Sequence, residues 1–179
     1  MNVFVLCTGR SASTTFARAA AHLSNFTAGH ETRAGRLGHD RVTFPANHVE
    51  VDNRLTWFLG RLDAAYPQAF YVHLRRSREE TARSFLARYD SGIIAAYRRS
   101  ILMDLPESAD PMAVCRDYVD AVTAQIDHFL RDKPRCMEVR VENAKADFAA
   151  LWERIQGQGD IAGALREWDV RHNAGQVEG

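Results

Sequence analysis

Residues 2–7 form an unbroken apolar run rich in Val and Phe, followed directly by Thr8-Gly9-Arg10-Ser11-Ala12-Ser13 and a helical pattern over residues 14–23. No other feature constrains the fold as strongly. An apolar run without alternation is the pattern of a strand buried on both faces of a parallel sheet, which puts residues 2–7 at the sheet's centre. Phe16, Ala19, Ala20 and Leu23 give the next segment one apolar face, as a helix laid on that sheet requires. Strand, tight loop and helix are expected in immediate succession.

The plan returns further along. Residues 70–74 are a β-rich run followed by Arg75 and Arg76, and the next helix begins with capping-box spacing, Ser77 at the N-cap and Glu80 at N3. Residues 48–51 read as a short strand, with a helix over 53–65 that takes Asn53 as its cap and stops before Pro67. Asp110 and Pro111 open a helix to about residue 131, with Val114, Tyr118, Val122 and Ile126 on one face. Residues 136–141 alternate as a strand; Asn143 can cap a helix to about residue 156, and Asp160 a last one toward Asn173. Strands alternating with helices predict an α/β fold, three-layer α/β/α with a small central parallel sheet. At 179 residues, with no repeat and only short linker-like stretches at 106–110 and 157–159, a single domain over 1–179 is expected.

Lys+Arg and Asp+Glu are 23 each, so bulk electrostatic wrapping of nucleic acid is disfavoured and any anion binding must be local. Only Lys133 and Lys145 are lysines. A bias toward arginine codons explains the skew, and it also supplies planar guanidinium groups that suit phosphate and sulfate oxygens. Cys7, Cys115 and Cys136 are odd in number and form no CxxC pair, which fits a reducing compartment. No segment reaches the ~18 apolar residues of a membrane span, so a soluble, cytoplasmic chain is expected. The histidines are scattered without HExxH spacing, and no metal site is expected.

A helix that starts right after a buried strand directs unpaired N–H groups and the positive end of its dipole into the crevice at the strand's carboxyl end. Gly9, Arg10, Ser11, Ala12, Ser13, Thr14 and Thr15 add a flexible glycine, a guanidinium and up to four hydroxyls there, and are the candidate phosphate-binding residues. A Walker A loop needs Gly-Lys followed by Ser or Thr, and Ala12-Ser13-Thr14 stands in that place, which disfavours an ATP or GTP hydrolase. The plain alternative is an ordinary βα turn whose Ser and Thr cap the helix.

Arg10-Ser11-Ala12-Ser13-Thr14 resembles the Arg-Ser-(Gly/Ala)-(Ser/Thr)-Thr segment with which many sulfotransferases bind the 5′-phosphate of 3′-phosphoadenosine 5′-phosphosulfate (PAPS), with Ala12 where glycine is commoner. Arg76 and Ser84, eight positions apart, are similar to that family's second signature, an Arg ending a later strand and a Ser in the following helix. The resemblance implies that this pair holds the donor's 3′-phosphate; Arg75 is the competing position, and the offset favours Arg76. Gly29-His30-Glu31-Thr32-Arg33 resembles the Gly-Glu-Glu-Thr-Arg segment of tyrosylprotein sulfotransferases. There the glutamate before the threonine is the catalytic base, which implies that role for Glu31. His30 is the second candidate base, because cytosolic sulfotransferases use a histidine, and Arg33 is implied as a partner of Glu31 or a contact to an anionic acceptor. The plain alternative for Glu31 is a loop carboxylate paired with Arg33 or Arg36.

Residues 49–59, with Glu50-Val51-Asp52-Asn53-Arg54, look similar to a segment of small bacterial sulfotransferase-like proteins, which makes Asp52 and Arg54 candidates to face the acceptor. Residues 137–142 resemble the family's late strand ending in Glu. The Gly-Asp-Trp type segment that covers the donor in cytosolic members is not recognisable, and Arg171-His172-Asn173 is its candidate substitute. The resemblance implies a P-loop-type α/β/α domain that moves a sulfuryl group from PAPS to a hydroxyl, or an amine, of a small-molecule or biopolymer acceptor, with Arg10 stabilising the leaving phosphate and no metal or nucleic acid involved. A P-loop kinase of a small metabolite and a non-catalytic nucleotide-binding module are the alternatives.

Overall fold

The structure is a computed structural model and describes residues 1–170. Its first strand, β1 (Val3–Leu6), is buried at every position, as an apolar run without alternation requires. It lies at the centre of a five-stranded, all-parallel sheet of order β2-β3-β1-β4-β5, completed by β2 (Thr27–His30), β3 (His48–Val51), β4 (Phe70–Arg75) and β5 (Cys136–Arg140). Val3 pairs with Val49 on one side and with Phe70 on the other.

Successive side chains of a strand point to opposite faces, and β1 accordingly feeds two cores. Val3, Val5 and Cys7 pack with Phe16, Phe148, Leu151 and Trp152 of α1 (Ser13–Ala20) and α6 (Ala144–Arg154). Phe4 and Leu6 pack on the other face with Phe85, Tyr118, Val122 and Ile126 of α3 (Arg78–Leu86) and α5 (Pro111–Leu130). Each fully buried Val, Leu or Phe contributes about 1.5–3 kcal/mol, so the two cores oppose the chain entropy from both sides of one sheet. Short helices α2 (Leu59–Ala65), α4 (Gly92–Ala96) and α7 (Ile161–Arg166) complete the layers. No helix among the described residues is long and apolar enough to cross a membrane.

The expected three-layer α/β/α architecture is present, with β1 central and Val114, Tyr118, Val122 and Ile126 buried along α5. Asp110 caps α5 through the Met112 and Ala113 amides, and Asp160 caps α7 through Gly163. Four local readings are corrected. β2 was not anticipated, because Thr-Ala-Gly-His is small and polar; it is an edge strand that pairs only with β3. The capping box at Ser77 does not form: Glu142 accepts the Ser77 amide at 2.6 Å, and Glu80 is taken by Arg76 at 3.2 Å. The turn after β3 is capped by Asp52, whose Oδ1 accepts the Arg54 amide at 2.7 Å, and Asn53 is its first residue. Asn143 occupies the N-cap of α6, yet its side chain donates to Asp147 at 2.7 Å rather than accepting an amide. The expected continuation of the last helix toward Asn173, and the Arg171-His172-Asn173 segment, lie outside the described residues.

Candidate functional site

The carboxyl ends of parallel strands open into a crevice where the βα loops meet. The β1–α1 loop curls through left-handed backbone at Gly9 (φ 83), Arg10 (φ 57) and Ala12 (φ 60) before entering α1. Gly9 is required: a Cβ there would sit 2.9 Å from the Asn53 side chain, at a φ that L-residues rarely adopt. Ala12 is the N-cap, and no side chain caps α1. The ordinary reading of this loop, Ser and Thr serving as the N-cap, is therefore not what forms, and the positive end of the α1 dipole lies at this loop.

Side-chain directions divide the loop. Ser13, Thr14 and Thr15 line an open groove of about 1090 Å³, together with Arg10, Arg76 and Ser84. The Ser11 hydroxyl instead is fully buried and has no hydrogen-bond partner among the described residues, so of the four hydroxyls read from the sequence this one points away from the groove. Burial pushes the pKa of the adjoining Cys7 thiol up to about 11.

Arg10 joins the two sequence clusters. Its Nε donates to Ser84 Oγ at 2.9 Å, and its carbonyl accepts from Arg76 Nη1 at 3.2 Å. The eight-residue pair, Arg76 just after β4 and Ser84 in α3, therefore meets the amino-terminal loop directly. Arg75, the competing position, is used elsewhere, on Glu138 at 3.0 Å and Asp127 at 3.6 Å. Burial, then Arg88 and Arg76 nearby, lower the Arg10 pKa. Crowded guanidinium groups of this kind favour an incoming anion, which relieves their repulsion.

β2 and β3 carry the other part of the sheet's carboxyl edge, and none of His30, Glu31, Arg33 and Arg54 is among the residues that line that groove. His30 ends β2, and its Nε2 lies 3.0 Å from Ser13 Oγ, tying this wall to the start of α1. Glu31 follows in left-handed backbone (φ 54), and its carboxylate pairs with Arg54 Nη1 at 2.6 Å. The partner is thus neither Arg33 nor Arg36; both make no ion pair among the described residues.

Asp52 does not face an acceptor. It is fully buried, with Oδ2 accepting from Arg41 Nη2 at 2.6 Å and Oδ1 from the Arg54 amide. Burial raises its pKa while Arg41 pulls the other way. Its part in the site is indirect, as the cap that orients Arg54 toward Glu31. Arg41, buried under the Phe58 ring at 4.9 Å, was missed from sequence because nothing local marks its pairing across 11 positions. Glu50 and His48 were missed similarly: Glu50 accepts from the Thr32 amide and hydroxyl, both at 2.7 Å, and from His48 Nε2 at 2.8 Å. The buried polar residues inside the apolar strand His-Val-Glu-Val were the available signal.

Trp168 and Val170 line the far end of the groove, beside Lys145. Among the described residues no group of three or more His, Cys, Asp or Glu is placed to hold a metal ion.

No family model matches the chain, and no curated protein matches it. Among solved structures, the "Sulfotransferase Domain from the Curacin Biosynthetic Pathway" superposes with a TM-score of 0.69 at 15% sequence identity, covering 98% of this chain and 80% of that one. A likeness of that extent at so low an identity is one of backbone architecture, and the chain has a sulfotransferase-like fold.

Proposed function

We propose that the chain is a sulfotransferase that moves a sulfuryl group from PAPS to a hydroxyl, or an amine, of an acceptor. The single observation that carries the reading is the junction at Arg10, which brings the β1–α1 loop and the Arg76–Ser84 pair to one groove. A nucleotide phosphorylated at both the 3′ and 5′ positions needs two anion sites within reach of one adenosine, and these two clusters supply them.

In the proposed reaction the acceptor oxygen forms a bond to sulfur as the bond from sulfur to the 5′-phosphate oxygen breaks, and the acceptor proton goes to Glu31. Arg10 and the loop amides of Ser11 to Thr14 stabilise the negative charge gathering on the leaving phosphate. Arg76 and Ser84 bind the 3′-phosphate. Arg54 holds the Glu31 carboxylate at 2.6 Å and aims it. Glu31 is preferred to His30 as the base because Ser13 already engages the His30 ring at 3.0 Å. Guanidinium groups and the uncapped helix start supply the neutralisation that magnesium supplies in nucleotide kinases. Arg33 lies at the acceptor side of Glu31 in this reading, and the cytoplasm is the proposed compartment.

Glu31→Gln tests the assignment. Affinity for adenosine 3′,5′-bisphosphate should stay within about twofold, while PAPS-dependent transfer, read across phenol, sugar, alkyl and amine acceptors, should fall by roughly 100-fold or more, the scale of a lost general base. Wild-type turnover in Glu31→Gln would remove Glu31 from the mechanism. Bisphosphate binding without transfer to any acceptor would favour the non-catalytic module.

A further inference from the structure

We propose that Glu50 and His48, buried beneath the turn that carries Glu31, are positioning residues for that carboxylate and act through Thr32. The proposal rests on the reading of Glu31 as the base.

A non-glycine residue in left-handed backbone persists only where its surroundings overdetermine it. Glu31 is such a residue, and the amides on both sides of its side chain are gripped by β3. Its own N–H donates to the Val51 carbonyl at 3.0 Å, and the Thr32 N–H donates to Glu50 Oε1 at 2.7 Å. The Thr32 hydroxyl adds a second bond to the same carboxylate, on Oε2 at 2.7 Å. His48 Nε2 donates to Oε2 at 2.8 Å, and its Nδ1 meets the Thr27 hydroxyl at 2.8 Å, which fixes the ring from its other side. The Phe44 ring stacks on His48 at 5.6 Å. Gly29 passes over this layer with no room for a side chain: a Cβ would lie 2.8 Å from Glu50 Oε2.

Thr27, His48, Glu50 and Thr32 thus form an unbroken hydrogen-bonded line under β2, ending on the residue after Glu31. A wholly buried carboxylate is costly unless its lone pairs are met, and a neutral acceptor would suffice to close a turn. A charged acceptor gripping Thr32 at two atoms gives something more, a direction for the adjoining Glu31 side chain that does not wander as the acceptor arrives. Reacting groups misplaced by about 1 Å lose rate on the order of 100-fold, so stiffness of this kind has a kinetic readout.

The test compares wild type, Thr32→Val, Thr32→Ser and Glu50→Gln in the full chain. Thr32→Val keeps the side chain's shape and removes its donor. It should lower kcat for transfer from PAPS to simple phenols about tenfold, with affinity for adenosine 3′,5′-bisphosphate within about twofold, and Thr32→Ser should restore most of the loss. In Glu50→Gln the Thr32 amide should exchange with solvent deuterium about tenfold faster or more, while the Val49 and Val51 amides keep their protection. Wild-type kcat in Thr32→Val, a kcat loss matched by an equal loss of bisphosphate affinity, or unchanged Thr32 exchange in Glu50→Gln would overturn the proposal. Full activity of Glu31→Gln would overturn the base assignment instead, and the exchange measurement, which needs no turnover, decides the positioning of the turn by itself.

Discussion

Two walls at the sheet's carboxyl edge, one carrying Arg10 and the other Glu31, are held by different means. On the wall proposed to bind phosphate, the loop after β1 takes its shape from left-handed backbone at Gly9, Arg10 and Ala12, and its charges stay at the groove: Arg10 contacts a serine, and Arg76 a backbone carbonyl and the half-exposed Glu80. On the wall that carries Glu31, the charges are sunk into the protein. Asp52 and Glu50 are wholly buried beneath the turns they hold, each against its own partner, Arg41 or His48. The difference fits the roles proposed for the two walls. An anion site needs positive charge that a ligand can reach, whereas a proton acceptor needs a fixed direction more than it needs a field.

Breaking the buried wall should have the larger effect on stability. Asp52→Asn leaves the Arg41 guanidinium buried without a carboxylate, and loss of one partner of a buried pair costs about 3–5 kcal/mol. Urea denaturation should show that loss, and a change below about 1 kcal/mol would mean that solvent reaches Arg41 and that the two walls are not so different. The wall of the β1–α1 loop should respond in the opposite sense to its own mildest change. Ala12 is an alanine held at φ 60, so Ala12→Gly relieves strain of about 1–2 kcal/mol, offset by glycine's greater chain entropy. A net gain of about 0.5–1 kcal/mol in the same assay is expected; destabilisation would show that the loop's shape is not strained at that position.

The same contrast explains what could be read from the chain before its structure. The β1 run, the loop from Gly9 to Thr15 and the Arg76–Ser84 offset are contiguous or nearly so, and strand-to-helix junctions place such residues at one sheet edge without further information. The central strand and the buried face of α5 were equally plain, because unbroken and helical periodicities state burial directly. On the wall with Glu31 the sequence singles out His30, Glu31, Asp52 and Arg54 but not how they pair. The partner of Glu31 is Arg54 rather than Arg33 or Arg36, and Asp52, a candidate with Arg54 to face the acceptor, is buried against Arg41. Arg41, His48 and Glu50 act across 11, 21 and 18 positions through pairs that neither propensity nor spacing encodes. Edge strand β2, whose residues are small and polar, escaped for the related reason that its identity comes from pairing with β3.

A calorimetric comparison of adenosine 3′,5′-bisphosphate with adenosine 5′-monophosphate and ATP bears most directly on whether one nucleotide is held at both ends. A second phosphate met by a guanidinium is worth about 1.5–3 kcal/mol, so the bisphosphate should bind roughly 10- to 100-fold more tightly than the monophosphate, without magnesium, and Arg76→Ala should erase the difference. Equal affinities for the two, or tighter binding of ATP that depends on magnesium, would contradict the assignment of Arg76 and Ser84 to a 3′-phosphate, and with it the proposed transfer.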